Sequence, residues 1–121
     1  MKIYTSYFAV LKRIPDNIVP ISICLKAPHW FKGIQYKTLA PTNDIFSQYK
    51  AKPDNALYTA RFTSEVLGML NCEHVVNELS GLSNGNDVVL LCYEKSTSFC
   101  HRHLVAGWLN EFLGNSIMEW T

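Results

Sequence analysis

The chain has 121 residues, of which 48% are hydrophobic and 17% are charged, and its formal net charge is +1. This length and composition predict one globular domain over residues 1–121 and exclude disordered and fibrous proteins. The small net charge excludes an extended nucleic-acid-binding surface but allows a local site for a small anionic ligand. Because neither a signal peptide nor a membrane-spanning apolar run is recognisable, we expect a cytoplasmic protein with no membrane partner.

Hydrophobic periodicity and turn residues predict elements along the whole chain. In chain order these are strands at 2–8 and 21–25, helices at 43–51, 56–70 and 72–82, a strand at 87–92, a helix capped at 96–98 and ending at 113, and a strand at 117–120. Thr42 and Asn71 are predicted N-caps, since their side chains can accept hydrogen bonds from free backbone N–H groups. Gly114 supplies the left-handed residue that ends the last helix.

Two of the predicted helices carry apolar stripes. Phe62, Val66 and Met69 recur at helical spacing and should face the core together. Trp108 and Phe112 have the same spacing on the last helix and are also predicted to be core residues.

This order of elements predicts an α/β protein, a single compact three-layer α/β/α domain with a mostly parallel sheet of the Rossmann or flavodoxin type. In such sheets ligands collect outside the carboxyl ends of the strands, near the point where the strand order reverses. That edge should hold residues 7–8, 28–30 and 92–102.

Reactive side chains are concentrated between the strand at 87–92 and the last helix. The candidate catalytic residues are Cys92, Glu94, Cys100 and His101. On a helical wheel His101 faces the sheet, whereas His103 points toward solvent. We therefore expect His101 to act as an acid or base and Glu94 to act as a general base or to orient His101.

Two of the four cysteines are candidate nucleophiles. Cys92 should face a helix N-terminus and Arg102, and Cys100 lies in the first helical turn, so positive potential favours the thiolate at both positions. The spacing does not choose between them, and the alternative interpretation of Cys92 is a small buried hydrophobic residue. Cys24 and Cys72 are predicted core thiols. With no CxxC motif and a sufficient apolar core, we expect all four cysteines to be reduced, and the sequence leaves open whether Cys92 and Cys100 approach closely enough for a disulfide.

Arg102 is the predicted anion-binding residue, since its planar guanidinium can bind two oxygens at once. Lys95 and Ser98, in the polar loop before the helix, are predicted to bind the same substrate. The loop lacks the Walker A pattern, and Cys92 and Arg102 are too far apart for the loop of a cysteine phosphatase. Alternatively, Arg102 or Lys95 pairs with Glu94 and only orders the loop.

A second group of substrate-binding candidates lies after the second strand. Trp30 and Tyr36 could stack on a ring, and Lys37 could hold a phosphate. The alternative interpretation is that such aromatic residues cover the end of the sheet, and this is the one we favour for Phe31.

Metal binding is an alternative use of the reactive cluster. Cys92, Glu94, Cys100 and His101 are competent ligands for zinc or iron, but their spacing matches no standard zinc framework. We therefore assign no metal ligands and leave the cofactor and the oligomeric state open.

The segment LLCYEKSTSFCHRHLVAGWL, residues 90–109, resembles the DUF488 family. The family's pattern is an apolar strand ending in Leu-Cys-x-Glu, a short loop, and Cys-His-Arg at the start of an apolar helix. Stretches at 3–7, 28–31 and 36–41 extend the resemblance over most of the chain. The resemblance implies a compact three-layer α/β fold and no established reaction. The signature positions that it implies are Cys92, Glu94, Cys100, His101 and Arg102.

Two functions follow as hypotheses. The first is a thiol-dependent enzyme acting on a small anionic or nucleotide-like substrate, with His101 as the acid or base and Arg102 holding the anion. The second is a non-catalytic module that binds a small anion, a metal or a partner protein, in which Glu94, His101 and Arg102 form a polar network.

Overall fold

A computed structural model describes residues 1–94 and 98–120. In this part of the chain the strands are β1 (Ile3–Tyr7), β2 (Ile18–Ser22), β3 (Ile34–Gln35), β4 (Asp87–Cys92) and β5 (Met118–Glu119). The α-helices are α1 (Asn43–Ala51), α2 (Asn55–Arg61), α3 (Cys72–Leu82) and α4 (His101–Leu113). The shorter helical turns are 3₁₀-helices at Phe8–Arg13, Lys37–Leu39 and Leu67–Met69 and a π-helix at Phe62–Val66. None of the described helices is long and apolar enough to cross a membrane.

The strands form one parallel sheet in the order β3-β2-β4-β1-β5. The central strand is β4, whose Leu90 pairs with Thr5 of β1 on one side and with Ile21 of β2 on the other. Residues 88–91 are fully buried, which explains why this stretch of the sequence carries no charge. The predicted α/β fold with a parallel sheet is confirmed.

The two faces of the sheet are covered by different kinds of helix. Val88 and Leu90 point to one face and pack with residues from all four α-helices. Val89 and Leu91 point to the other face, in a cluster with Phe8 of the first 3₁₀-helix and the loop after β2. One side of the sheet therefore has an α-helical layer, and the other has a thinner layer of 3₁₀-helix and loop.

The predicted helix ends are confirmed at three positions. Thr42 Oγ1 accepts a hydrogen bond from the Ile45 backbone N–H at 3.2 Å, and Asn71 Oδ1 accepts one from the His74 N–H at 3.0 Å. Gly114 ends α4 with φ at 71°. Local side-chain chemistry determines these ends, so they were readable from the sequence.

The helix predicted at 56–70 is interrupted. After Arg61 the chain passes through a π-helix and a 3₁₀-helix, which rotates the later residues relative to a regular α-helix. Phe62 and Val66 are buried as expected, but Met69 is 79% exposed, so its assignment to the core was wrong.

Three further predictions differ from the structure. Phe112 was expected in the core and is 50% exposed, whereas Trp108 on the preceding turn packs against the core. The second strand lies at Ile18–Ser22 rather than at 21–25, because the chain leaves the sheet after Ser22. The two-residue β3 was not predicted, since two residues are too few for a periodic pattern.

Candidate functional site at the carboxyl edge of the sheet

The strands β2 and β4 are neighbours, but the chain leaves them in opposite directions. After β2 the chain continues to the outer strand β3, whereas after β4 it passes β1 to reach β5. Such a switch point opens a crevice at the carboxyl ends of the two strands. A cavity of about 400 Å³ lies there, within the size range of small-molecule sites.

Cys92 and Cys100 both line this cavity and are joined by a disulfide. Cys92 is the last residue of β4 and Cys100 is the N-cap of α4, and both are buried. The prediction that all cysteines are reduced is therefore wrong for this pair, because the fold brings the strand end and the helix start together. Their Cα atoms are 7.3 Å apart, wider than the roughly 4.4–6.8 Å usual for disulfides. The backbone therefore also suits two separate thiols.

His101 is buried behind the cysteine pair, and its ring is fixed in one orientation. Its Nε2 lies 2.7 Å from the carbonyl oxygen of Ile23, which can only accept, so Nε2 carries the hydrogen. Burial lowers the pKa of His101 to about 4, with a further contribution from the positive charge of Arg102. The ring is therefore neutral near pH 7, and its Nδ1 lone pair is directed toward Cys100 Sγ at 3.8 Å.

Arg102 is completely buried and uses its guanidinium within the protein. Nη2 donates to Glu119 Oε2 at 2.9 Å, and Nε lies 3.2 Å from Glu119 Oε1. Nη1 donates to the backbone carbonyl of Glu94 at 2.6 Å and to Cys92 Sγ at 3.6 Å. The carboxylate partner of Arg102 is thus Glu119 and not Glu94, and Arg102 brings a buried positive charge against Cys92.

Glu119, on the edge strand β5, is the half-buried partner of the buried Arg102. Burial by itself would raise the pKa of Glu119, but hydrogen bonds from Arg102 and Thr5 and the positive charge of Arg102 outweigh burial and hold it below its usual range. Thr5 Oγ1 donates to Glu119 Oε1 at 2.6 Å. The carboxylate is therefore ionised and fixed near neutral pH.

Glu94 lies at the rim of the cavity, two residues beyond Cys92. Its side chain is exposed, and Lys26 on the opposite loop is exposed at the same rim. Both charged groups therefore face solvent at the mouth of the cavity, whereas Cys92 lies at the bottom.

Aromatic rings form one wall of the cavity. Tyr49 of α1 stacks on Phe99 with ring centroids 5.6 Å apart, and Tyr58 of α2 meets both rings edge-on at 5.3 and 5.2 Å. Phe46, one turn before Tyr49, lines the outer part of the cavity and is half exposed. The wall is suited to a flat ring, since aromatic faces and edges attract one another in these geometries.

Cys24 also lines the cavity, on the side of β2. It is buried, its Sγ lies 3.7 Å from the carbonyl oxygen of Leu91, and burial raises its pKa to about 11. Cys72 is half-buried on the far side of α4, near the carbonyl oxygen of Trp108. Both are free thiols.

The predicted substrate-binding residues after β2 do not line the cavity. Trp30 is half exposed against Phe8, and the buried Tyr36 donates its hydroxyl hydrogen to Glu78 at 2.6 Å. Lys37 is exposed on a 3₁₀-helix. The structure brings these residues to the surface and to α3 rather than to the cysteine pair.

The two loop candidates before α4 have different outcomes. Lys95 lies outside the described residues, as do two of the three predicted caps of the helix. Ser98 is half-buried and does not line the cavity. The helix begins at His101 with Cys100 as its N-cap, so Cys100 lies just before the first turn rather than inside it.

The position of His103 differs from the one that the sequence predicted. It was expected to point to solvent, but it is half-buried beside Arg102 and Glu119, and its Nε2 is buried with no hydrogen-bond partner among residues 1–94 and 98–120. Burial and the charge of Arg102 lower its pKa. The short β5 covers this side of α4, which a helical wheel of α4 alone does not reveal.

Sequence reasoning missed several residues of the site. Glu119 lies 17 residues after Arg102, and only the pairing of β5 with β1 brings it close. Tyr49 and Tyr58 belong to helices that precede β4 by many residues. The sequence indicated only that both tyrosines lie on the apolar side of their helices, and this does not distinguish a cavity residue from a core residue.

Fold and site together define a class of protein. It is a small α/β protein with a cysteine pair, a neutral histidine and a buried arginine at the switch point of a parallel sheet. The family model DUF488-N3a, described as the active DUF488-N3 subclade, matches residues 9–113. The chain therefore belongs to the DUF488 family, as its signature residues indicated. No curated protein and no solved structure gives a significant match to the chain.

Proposed function

We propose that this protein is a thiol-dependent enzyme in which the reduced Cys92 is the nucleophile and the cavity holds a small substrate. The observation that supports this most directly is the contact of the buried Arg102 guanidinium with Cys92 Sγ at 3.6 Å, on the floor of a cavity. A neighbouring cation favours the thiolate, the nucleophilic form of cysteine. The description of the matched subclade as active also supports an enzyme.

The surroundings of the two cysteines favour Cys92 over Cys100 as the nucleophile. Cys100 faces His101 Nδ1, but transfer of its proton would create a buried imidazolium beside Arg102, and burial disfavours that charge. Cys92 can instead release its proton to water in the cavity, because the positive charge of Arg102 stabilises the thiolate that remains. We assign Cys100 and His101 a supporting role: Cys100 is the disulfide partner of Cys92 in the oxidised protein, and the neutral ring of His101 lies beside Cys100.

The charged residues at the rim of the cavity support binding of a small anionic or nucleotide-like substrate. A small anionic or nucleotide-like substrate would place its ring on the aromatic wall and its anionic group near Lys26 at the mouth. The carboxylate of Glu94 at the same rim would accept or return a proton. A cytoplasmic location, where thiols are kept reduced, would maintain the active dithiol.

Alkylation of the reduced protein tests the nucleophile. The rate of iodoacetamide modification is measured at each cysteine by mass spectrometry between pH 5 and 10, for the natural sequence and for Cys100→Ser. We expect Cys92 to react fastest, with an inflection below about 8.5, the usual cysteine pKa. Cys72 serves as the internal control. Modification of Cys92 no faster than that of Cys72, with an inflection near 8.5, would refute the proposal.

A non-catalytic metal-binding module is the second candidate, and one observation favours it. The ligand atoms of Cys92, Cys100 and His101 all lie within 4.8 Å of one another. In addition, His101 donates its other ring hydrogen to the carbonyl of Ile23, the second contact that metal-bound histidines usually make. Two thiolates and an imidazole suit zinc, with the fourth position open toward the cavity.

Cobalt binding tests this candidate. Reduced protein is titrated with Co²⁺ under argon, and thiolate-to-cobalt absorption in the near ultraviolet is followed. One equivalent bound with this absorption, lost in both Cys92→Ser and His101→Gln but kept in Cys72→Ser, would support the metal site. Absence of the absorption band in the natural sequence would refute the metal site.

A further inference from the structure

The aromatic wall contains two tyrosines whose hydroxyl groups differ. Tyr49 donates its hydroxyl hydrogen to Asn55 Oδ1 at 2.6 Å, on the outer side of the helices. The hydroxyl of Tyr58 has no hydrogen-bond partner among residues 1–94 and 98–120, although only 8% of Tyr58 is exposed. Of the two wall tyrosines, Tyr58 is therefore the one whose hydroxyl, as far as the described residues show, can donate to a ligand.

Tyr58 lines the cavity. Only 8% of the residue is exposed, and its ring packs edge-on against Tyr49 and Phe99 of the same wall. Burial raises the pKa of Tyr58, with smaller contributions from Cys24 and Tyr49. The phenol therefore stays neutral and can donate a hydrogen bond at any ordinary pH.

The chemistry of the cavity limits what its inner part can bind. The inner part is lined by the rings of Tyr49, Tyr58 and Phe99, by the cysteine pair and by the neutral His101. Among the described lining residues, Lys26 and Glu94 carry the ionised side chains, and both are at the exposed rim. Arg102 lies behind Cys92, but it does not line the cavity and its charge is already paired with Glu119. A charged ligand group placed at the floor would therefore lose its hydration without gaining an unpaired partner of opposite charge.

We propose that the inner cavity binds a flat, uncharged ring that carries a hydrogen-bond acceptor, and that Tyr58 donates its hydroxyl hydrogen to that acceptor. This inference rests on the proposed function, because the acceptor is then held next to the carbon that Cys92 attacks. The substrate class is an aromatic or heteroaromatic compound with a carbonyl or ring-nitrogen acceptor. Tyr58 is a substrate-binding residue that orients this group.

Two chloroacetamides test the ring preference on the reduced protein. In both 2-chloroacetamide and N-phenyl-2-chloroacetamide, the thiolate attacks the CH₂ carbon, a C–S bond forms, and the C–Cl bond breaks as chloride leaves with the electron pair. The rate with N-phenyl-2-chloroacetamide is divided by the rate with 2-chloroacetamide at Cys92. This ratio is then divided by the same ratio for glutathione, which corrects for the different intrinsic reactivities of the two compounds. We expect the phenyl compound to be favoured at least tenfold at Cys92. A corrected ratio near one would overturn the proposal.

Tyr36→Phe is the control for Tyr58→Phe, because it removes a buried tyrosine hydroxyl that donates to Glu78 away from the cavity. Tyr58→Phe should lower the rate with the phenyl compound about two- to tenfold, the effect of one neutral hydrogen bond. Tyr36→Phe should leave that rate unchanged. Equal losses in the two variants would contradict the role of Tyr58.

Protection by acetanilide, which cannot alkylate, supplies a second measurement. Acetanilide should slow the modification of Cys92 by iodoacetamide in the natural sequence and do so less effectively in Tyr58→Phe. The iodoacetamide rate without acetanilide separates the two proposals. Ordinary reactivity of Cys92 would defeat the enzyme proposal, whereas an activated Cys92 that acetanilide does not protect would defeat only the ring site.

Discussion

Protonation of His101 should control the stability of the folded protein in mild acid. The experiment compares the natural sequence with His101→Gln, whose amide can still donate to the carbonyl of Ile23 but does not titrate. The free energy of unfolding is measured by urea titration at pH 7 and pH 5. The protein is kept oxidised with a chelator present, so that the Cys92–Cys100 disulfide is intact and no metal contributes.

The expected magnitude follows from the surroundings of His101. Burial lowers its pKa to about 4, against 6.5 for an ordinary histidine. Between these two values the unfolded chain binds a proton that the folded protein does not, so stability falls as the pH falls. At about 1.36 kcal/mol per pKa unit the complete loss is about 3 kcal/mol, of which about 2 kcal/mol falls between pH 7 and pH 5.

His101→Gln should therefore lose about 2 kcal/mol less than the natural sequence over this pH interval. The contribution of His103 is present in both proteins and cancels in the comparison. His29→Gln, at an exposed position, is the control and should behave as the natural sequence does. If His101→Gln loses as much stability between pH 7 and pH 5 as the natural sequence, the inference that His101 is buried and neutral is refuted.

Three further substitutions test the packing around the site by urea unfolding at pH 7. Glu119→Gln should lower the free energy of unfolding by about 3 kcal/mol, because it leaves the buried Arg102 without a full countercharge. A loss below about 1 kcal/mol would be inconsistent with this pairing. Asn71→Ala should cost about 1 kcal/mol through loss of the N-cap, whereas Asn77→Ala, exposed within the same helix, should cost much less. Phe62→Ala should lower the free energy of unfolding by about 3–5 kcal/mol, because the ring is fully buried. A loss below about 2 kcal/mol would show that neighbouring side chains move into the space left by the ring.

Many of the local features could be predicted from the sequence. The charge-free run at residues 88–91 indicated the central strand, since only a strand buried on both faces excludes polar side chains so completely. Thr42, Asn71 and Gly114 marked helix ends, because their side chain or backbone freedom satisfies groups only a few residues away. The region of the site was also predictable, as parallel strands place ligands at their carboxyl ends.

The contacts within the site were decided by the tertiary structure. The Glu119 carboxylate pairs with Arg102 because β5 lies beside β1, and the carbonyl of Ile23 fixes the His101 ring because β2 lies beside β4. Periodicity reports which face of an element is apolar, but it carries no information about which strands become neighbours. The order β3-β2-β4-β1-β5 results from packing the whole core at once, and that order determined the partners of Arg102 and His101.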